Sequence, residues 1–291
     1  MHTIASAREW AIKEFKRAGV ESPMLSADLL LGFMLGWQRV RVLSHPEHLL
    51  APKDYAYFQS LIGRRLNGEP LQYLTGEQEF YGLLFRVTPE VLIPRPETEL
   101  LVEEALRLIK ESPSAVVRFL DVGTGSGCIA VSIAHEIPFS AGWAIDISAD
   151  ALRIARENAV RHGVARRIQF IQSDLLECFS SGPVFDFVLS NPPYVPFDDY
   201  DSLPREVRDH EPHAALFGGV SGLGVYRRAI PGISSRIAPG GFLLLELGAG
   251  QAEKVSKLVE MGGLCVQRIL NDLQGIPRCL VARKLSRREH G

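Results

Sequence analysis

Phe119-Leu120-Asp121-Val122-Gly123-Thr124-Gly125-Ser126-Gly127 decides how this 291-residue chain folds. The first four residues read as the end of an apolar strand, and three glycines at alternate positions follow before a helical pattern starts near Cys128. Glycine turns a backbone tightly and lets it pass close to a ligand, because no Cβ intrudes. Strand, glycine-rich turn and helix in that order open a βαβ unit.

Working outward, apolar strand-like runs alternate with helical patterns from Pro96 onward. The spacing predicts strands near 116–122, 141–146, 168–172, 184–190, 241–247, 263–269 and 278–284, with helices near 97–111, 127–136, 149–162, 222–236 and 250–261. Such alternation is the signature of an α/β fold, a Rossmann-like parallel sheet with helices on both faces. Seven strands, the last two close together, fit a sheet that ends in an antiparallel pair.

Before this half, the period is helical through about residue 66: Ile4, Ala7, Ala11 and Phe15 share one face, followed by Leu25, Leu29, Met34 and then Tyr55, Phe58, Leu61 and Ile62. Gly19, Pro23, Gly36 and Pro46 punctuate a small helical bundle. From Leu71 to Val87, the aromatics Tyr73, Phe80, Tyr81 and Phe85 with glycines 76 and 82 suggest a β-hairpin. The predicted division is a helical domain over 1–67, a β-hairpin linker over 68–95 and an α/β domain over 96–291.

A hydrophobic content of 46% beside 23% charged residues is globular, and apolar runs such as Leu29-Leu30-Leu31 are too short to cross a bilayer. No membrane span and no secretory signal are read, which predicts a cytoplasmic location. Cys128, Cys178, Cys265 and Cys279 are scattered without a CxxC pair, so neither a disulfide framework nor a zinc cluster is expected. His45 and His48 find no partners for a metal site and read as surface residues, so no metal is predicted. Net charge is -2, with residues 1–66 holding nine Lys/Arg against six Asp/Glu. That front end is mildly basic and falls short of a nucleic-acid stripe.

The glycine loop leaves two ligand classes open. Counted from Gly123, the dinucleotide fingerprint would need glycine where Cys128 stands; counted from Gly125, it reaches Ala130, a tolerated variant. A nucleoside without phosphates fits equally well. Asp146, at the end of the next strand, is placed to accept hydrogen bonds from ribose hydroxyls or to cap a helix beside Ser148 and Asp150. Asp174 follows the strand Ile168-Gln169-Phe170-Ile171, where a carboxylate can take an adenine amino group or sit solvated in a loop; Leu175 beside it would press on the adenine face.

Strand Phe185 to Leu189 ends in Ser190-Asn191-Pro192-Pro193-Tyr194, at the carboxyl edge where open α/β sheets bind ligands. Two prolines fix φ and remove two N–H groups, so the chain leaves the ladder with carbonyls available. A planar NH2 donates two hydrogen bonds in fixed directions, and the Asn191 side-chain oxygen with the Pro192 carbonyl can accept both. Tyr194 would stack on a planar amide or base. An amide nitrogen is a poor nucleophile, so catalysis on it would come from orientation more than from a strong base.

With these motifs in view, the sequence resembles the protein-(glutamine-N5) methyltransferases that modify peptide chain release factors. The resemblance rests on the glycine loop and Asn191-Pro192-Pro193-Tyr194, and also on Gly68-Glu69-Pro70-Leu71-Gln72-Tyr73-Leu74, Phe80-Tyr81-Gly82 and Leu92-Ile93-Pro94-Arg95-Pro96-Glu97-Thr98-Glu99. Glu211-Pro212, Ala215-Leu216 and Gly218-Gly219 match too. It implies an S-adenosylmethionine-dependent enzyme, with S-adenosylhomocysteine as product, acting as a monomer. It also implies a substrate: the glutamine of the Gly-Gly-Gln loop in class I release factors, gripped through the helical front domain, with no stable nucleic-acid partner.

By position, Asp121, Gly123, Thr124, Gly125, Ser126, Gly127, Asp146, Ile147, Asp174, Leu175 and Asn191 would hold the cofactor. Asn191, Pro192, Pro193 and Tyr194 would frame the glutamine amide. Family members often carry an aromatic residue where this chain has Leu175. Arg95 and Glu97 are expected to order a lid, with Glu97 and Thr98 equally explained as helix caps. A ribosomal-protein glutamine methyltransferase would share every motif; a nucleic-acid amino methyltransferase uses similar Asn-Pro-Pro-Tyr logic. A nucleoside-binding scaffold would have no need of Asn191.

Overall fold

The structure, a computed structural model, describes residues 2–111, 116–180 and 184–286. The last five residues of the expected α/β domain, 287–291, lie outside it. The chain divides into two compact units, Met1–Glu77 with Pro204–His210, and Gln78–Leu203 with Glu211–Gly291.

In the first unit β1 (His2–Thr3) pairs antiparallel with β2 (Leu49–Leu50), around helices α1 (Ile4–Arg17), α2 (Pro23–Leu35), α3 (Arg39–Ser44), α4 (Pro52–Leu66) and α5 (Leu71–Thr75). Thr3 caps α1, its hydroxyl accepting from the Ser6 N–H at 3.2 Å. Ile4, Ala7, Ala11 and Phe15 are buried, as their spacing predicts. On α2 the outcome differs: the inward face is Ala27, Leu30 and Leu31, while Leu25 is exposed. That helix is apolar almost all round, so its period does not select a face. Its polar residue is inside: buried Asp28 accepts from Arg8 and Arg39.

The stretch expected to be all hairpin is divided. Leu71–Thr75 is helical behind Pro70, ends at Gly76 with φ 75°, and packs Leu74 into the helical core. The unit also contains the helix Arg205–His210, encoded more than a hundred residues downstream. Arg65, almost fully buried, donates to Glu206 on that helix at 2.5 Å.

The second unit starts within β3 (Glu77–Phe80), which forms the hairpin with β4 (Leu83–Arg86). Then follow α6 (Pro96–Glu111), β5 (Val117–Val122), α7 (Cys128–Glu136), β6 (Ser140–Asp146), α8 (Ala149–Arg161), β7 (Ile168–Gln172) and β8 (Phe185–Ser190). After α9 (Arg205–His210), which packs in the first unit, come α10 (His213–Leu216), α11 (Gly224–Arg236), β9 (Ile237–Glu246), α12 (Ala252–Met261), β10 (Cys265–Asn271) and β11 (Pro277–Arg283). The sheet runs β10-β11-β9-β8-β5-β6-β7, with β5 to β9 parallel and β11 antiparallel to both its neighbours.

Alternation along the strands builds two cores. Phe119, Leu189 and Leu244 face α6 and α7; Leu120, Val188, Leu243 and Leu245 face α11 and α12. Burying each such side chain stabilises the fold by about 1.5–3 kcal/mol. Two residues on from Phe119 and Leu244, the same parity places Asp121 and Glu246 on the α6–α7 face, at the carboxyl ends of their strands.

From β5 the chain winds outward through β6 and β7, then returns to β8 on the other flank of β5. Ligands in doubly wound sheets bind where the winding reverses. The loops after β5 and β8 meet there, and they carry the glycines and Asn191.

Candidate active site

Gly123, Gly125 and Gly127 all take positive φ, 73°, 54° and 82°. The three do different things. A Cβ at Gly127 would meet the Ala155 Cβ at 3.0 Å, so that glycine lets α7 and α8 pack. At Gly123 and Gly125 a Cβ would meet no described protein atom within 4 Å, so backbone conformation is what requires glycine there, and the bare backbone borders the cleft.

Beneath the loop Asp121 is fully buried. Its Oδ2 accepts from the Thr124 hydroxyl at 2.6 Å and the Ala130 N–H at 3.2 Å, while Oδ1 has no partner among the described residues. Burial pushes its carboxyl up to about 7. Thr124 and Ser126 are also buried; the Ser126 carbonyl accepts from Asn158 at 2.9 Å. Asp121, Thr124, Ser126 and Gly127 therefore shape the loop from behind and do not line the cleft.

The cleft, about 400 Å³, lies within the second unit. It is walled by Val122, Ile145, Ile147 and Leu175, with Asp146, Asp174 and Asn191 as polar groups and Ala215 and Phe217 from the segment after β8. Asp146 accepts from the Gly125 N–H and the Ser148 N–H, both at 2.9 Å, so it locks the glycine loop to the start of α8. Burial raises its pKa, and each oxygen keeps a lone pair. Asp174 accepts from Arg228 at 2.5 Å. Leu175 takes φ 51°, a left-handed conformation that is uncommon in a branched residue and that clusters at ligand sites.

An apolar slot with a hydroxyl-binding carboxylate at one wall and bare glycine backbone at another suits a nucleoside, and this volume is in the usual range for small-ligand sites. Among the described residues no cationic side chain other than Arg228 borders it, and that one is paired with Asp174.

Asn191 and Pro193 line the cleft; Pro192 is buried behind it. The Asn191 Nδ2 donates to the Thr98 hydroxyl oxygen at 3.1 Å, and the Thr98 hydroxyl donates to Glu246 Oε2 at 2.6 Å. Tyr194 does not face the cleft: its hydroxyl donates to Glu246 Oε1 at 3.3 Å, and its carbonyl accepts from Gln251 at 2.9 Å. This orientation does not present its ring for the expected stacking on a planar amide or base. The Tyr226 hydroxyl donates to the Glu246 carbonyl at 2.7 Å. Burial pushes the Glu246 carboxyl up to about 7 and raises the Tyr194 phenol.

Arg95 donates to buried Glu211 at 2.5 Å, tying the entrance of α6 to the segment after β8. Sequence reasoning missed Glu246 and Gln251 and gave Thr98 a capping role. One signal for Glu246 existed, an acid closing the apolar run Phe242-Leu243-Leu244-Leu245. Among the described residues no cluster of metal-ligating side chains occurs, and no helix is long and apolar enough to cross a membrane.

Comparison with known proteins agrees with this geometry. Residues 6–76 match the family described as PrmC N-terminal domain, and residues 98–201 match Methyltransferase small domain. The chain is 44% identical over 282 residues to the release factor glutamine methyltransferase of Koribacter versatilis, covering 97% of this chain and 99% of that one. It is 41% identical over 281 residues to that of Geobacter sulfurreducens, covering 97% and 96%. A methyltransferase from Pyrococcus furiosus, 17% identical, shares the fold with a TM-score of 0.52 over 77% of this chain and 97% of that chain. Near-full-length identity of this size, over a cleft of this build, makes the chain a member of the release factor glutamine methyltransferase family.

Proposed function

We propose that the protein transfers a methyl group from S-adenosylmethionine to the side-chain amide nitrogen of the glutamine in the Gly-Gly-Gln loop of class I peptide chain release factors. The observation that carries this reading is Asn191: one N–H of its side-chain amide donates to Thr98, which orients the amide, and its Oδ1 is the side chain's one acceptor for a ligand N–H at the cleft. The names of the full-length relatives supply the substrate.

Gly123, Gly125 and Asp146 would hold the cofactor, with Ile147, Asp174 and Leu175 around its base. When bound, the cofactor supplies an electrophilic methyl group. Asn191 Oδ1 would accept one N–H of the glutamine amide, and the backbone carbonyl of Pro192, whose ring is buried behind the cleft, would accept the other, aiming the nitrogen at that methyl. As the N–C bond forms and the methyl–sulfur bond breaks, with S-adenosylhomocysteine leaving as the neutral thioether, positive charge would develop on nitrogen and the hydrogen bonds to the same two acceptors would strengthen. The nitrogen then sheds one proton to water, since an N-protonated amide is strongly acidic. Acting as a monomer on a translation factor, the enzyme would work in the cytoplasm.

The test is incubation with methyl-labelled S-adenosylmethionine and purified release factor, ribosomal protein or RNA, followed by mass analysis. Label on the Gly-Gly-Gln glutamine is the expected result. Label on RNA or ribosomal protein alone overturns the substrate.

A further inference from the structure

The buried acid Glu246 has no part in the reaction as described above, yet both of its side-chain hydrogen bonds go to the reacting loop and its threonine support. Burying a carboxylate is unfavourable unless its partners compensate. What its position accomplishes follows from donor and acceptor counting.

Above about pH 7 Glu246 is ionised, and an ionised carboxylate only accepts. The Thr98 hydroxyl has one proton, and it is given to Glu246 Oε2 at 2.6 Å. Thr98 Oγ1 can then only accept, and the group facing it is the Asn191 side chain at 3.1 Å. That contact admits the NH2 of Asn191 and rejects its oxygen. Were the chain of protons reversed, the amide could turn over and present two N–H groups to a substrate NH2, a donor facing a donor.

Resting on the glutamine-amide reading above, we propose that Thr98 and Glu246 are positioning residues that fix which end of the Asn191 amide faces the substrate. The Tyr194 hydroxyl donates to Glu246 Oε1, so one carboxylate sets both ends of the tetrapeptide. Glu246 does not act as a general base through this chain: an amide nitrogen gives up its proton too reluctantly for Asn191 to relay one.

Thr98→Val keeps the shape of the side chain and removes the acceptor; Thr98→Ser keeps the hydroxyl. Near pH 8, with the carboxylate ionised, Thr98→Val should lower kcat by about 10- to 100-fold, the effect of a misaimed reacting group. S-adenosylhomocysteine affinity and melting temperature should stay at wild-type values, and Thr98→Ser should restore kcat to within about threefold. In an Asn191→Ala background, Thr98→Val should change the residual rate less than about twofold, because its effect passes through Asn191.

Unchanged kcat in Thr98→Val, or a loss that persists additively in Asn191→Ala, overturns the proposal. Equal losses of cofactor affinity and melting temperature in Thr98→Val would also overturn it, in favour of a purely structural role. A second measurement stands apart from turnover: in the wild-type S-adenosylhomocysteine complex, one side-chain NH2 proton of Asn191 should be protected from exchange, and Thr98→Val should abolish that protection. An unprotected Asn191 amide in the wild type defeats the inference even if methyl transfer to release factor is confirmed. A protected one sustains it even if the methyl acceptor is another amide.

Discussion

Two threonine hydroxyls each donate to a buried carboxyl oxygen at 2.6 Å, Thr124 to Asp121 beneath the glycine loop and Thr98 to Glu246 beneath the Asn191 loop. The first pair is three residues apart, and its acid also takes the Ala130 N–H, so strand, loop and helix start are bound in one local knot. The second pair is 148 residues apart and joins α6, β9 and the loop after β8. One arrangement fixes a backbone path; the other fixes the orientation of a single amide. A loop that offers backbone to a ligand can be built from its own neighbourhood. A loop that must present one particular atom draws its support from distant strands and helices.

Substitutions on the two sides should therefore fail differently. The largest effect should come from Asn191→Ala, which removes the presented atom: methyl transfer should fall by at least about 10³-fold, with cofactor affinity within about threefold, as read by single-turnover labelling and calorimetric titration. Undiminished turnover would end the mechanism.

Asp121→Asn probes the local knot. Because one oxygen takes both hydrogen bonds, an asparagine can reproduce them and replace the unpaired Oδ1 by NH2. The native carboxyl, pushed from 3.8 to about 7, holds a proton that the unfolded chain releases. Its contribution to stability is therefore fully present below about pH 4 and lost as pH rises through 7. Relative to wild type, the variant should gain on the order of 2–4 kcal/mol between pH 4 and 8 in denaturant melts. A gap that stays constant with pH would show that Asp121 is ionised in the fold.

Gly127→Ala should cost about 2 kcal/mol of stability, through a Cβ crowded against Ala155 at positive φ, whereas Gly125→Ala should cost about 1 kcal/mol and chiefly weaken cofactor binding. Equal losses in thermal melts would erase the distinction between packing and ligand-facing glycines. Smallest of all, Arg228→Ala opens a solvent-accessible ion pair with Asp174, and should change stability by less than about 1 kcal/mol. A loss of cofactor affinity beyond about tenfold would instead give Arg228 a direct part in binding.

The same contrast explains what could be read in advance. Strand and helix order, the antiparallel closing pair and the glycine loop follow from period and from residues a few positions apart, and all are present. Asn191 could be placed because β8 ends at the reversal of the winding, and Asp146 because it closes the next strand after the glycine loop. Thr98 looked like a helix cap because its partners are nearly a hundred and 148 residues away. Tyr194 looked like a stacking group because nothing local shows that its hydroxyl turns to Glu246. The inward face of α2 was misjudged because apolar residues surround it, and the left-handed Leu175 carries no glycine to announce it.

The helix Arg205–His210 belongs to the front unit, although it is encoded between Asn191 and β9. The backbone therefore passes between the two units three times, after Glu77, Leu203 and His210. A fragment cut at residue 77 would leave the front unit without one of its helices and would strand the buried Arg65 guanidinium with no carboxylate opposite it. Dissecting this enzyme into independent pieces thus requires a graft that carries 204–210 back to the front half, and after a protease nick at residue 77 the helix Arg205–His210, still covalently part of the second fragment, would remain packed in the front unit.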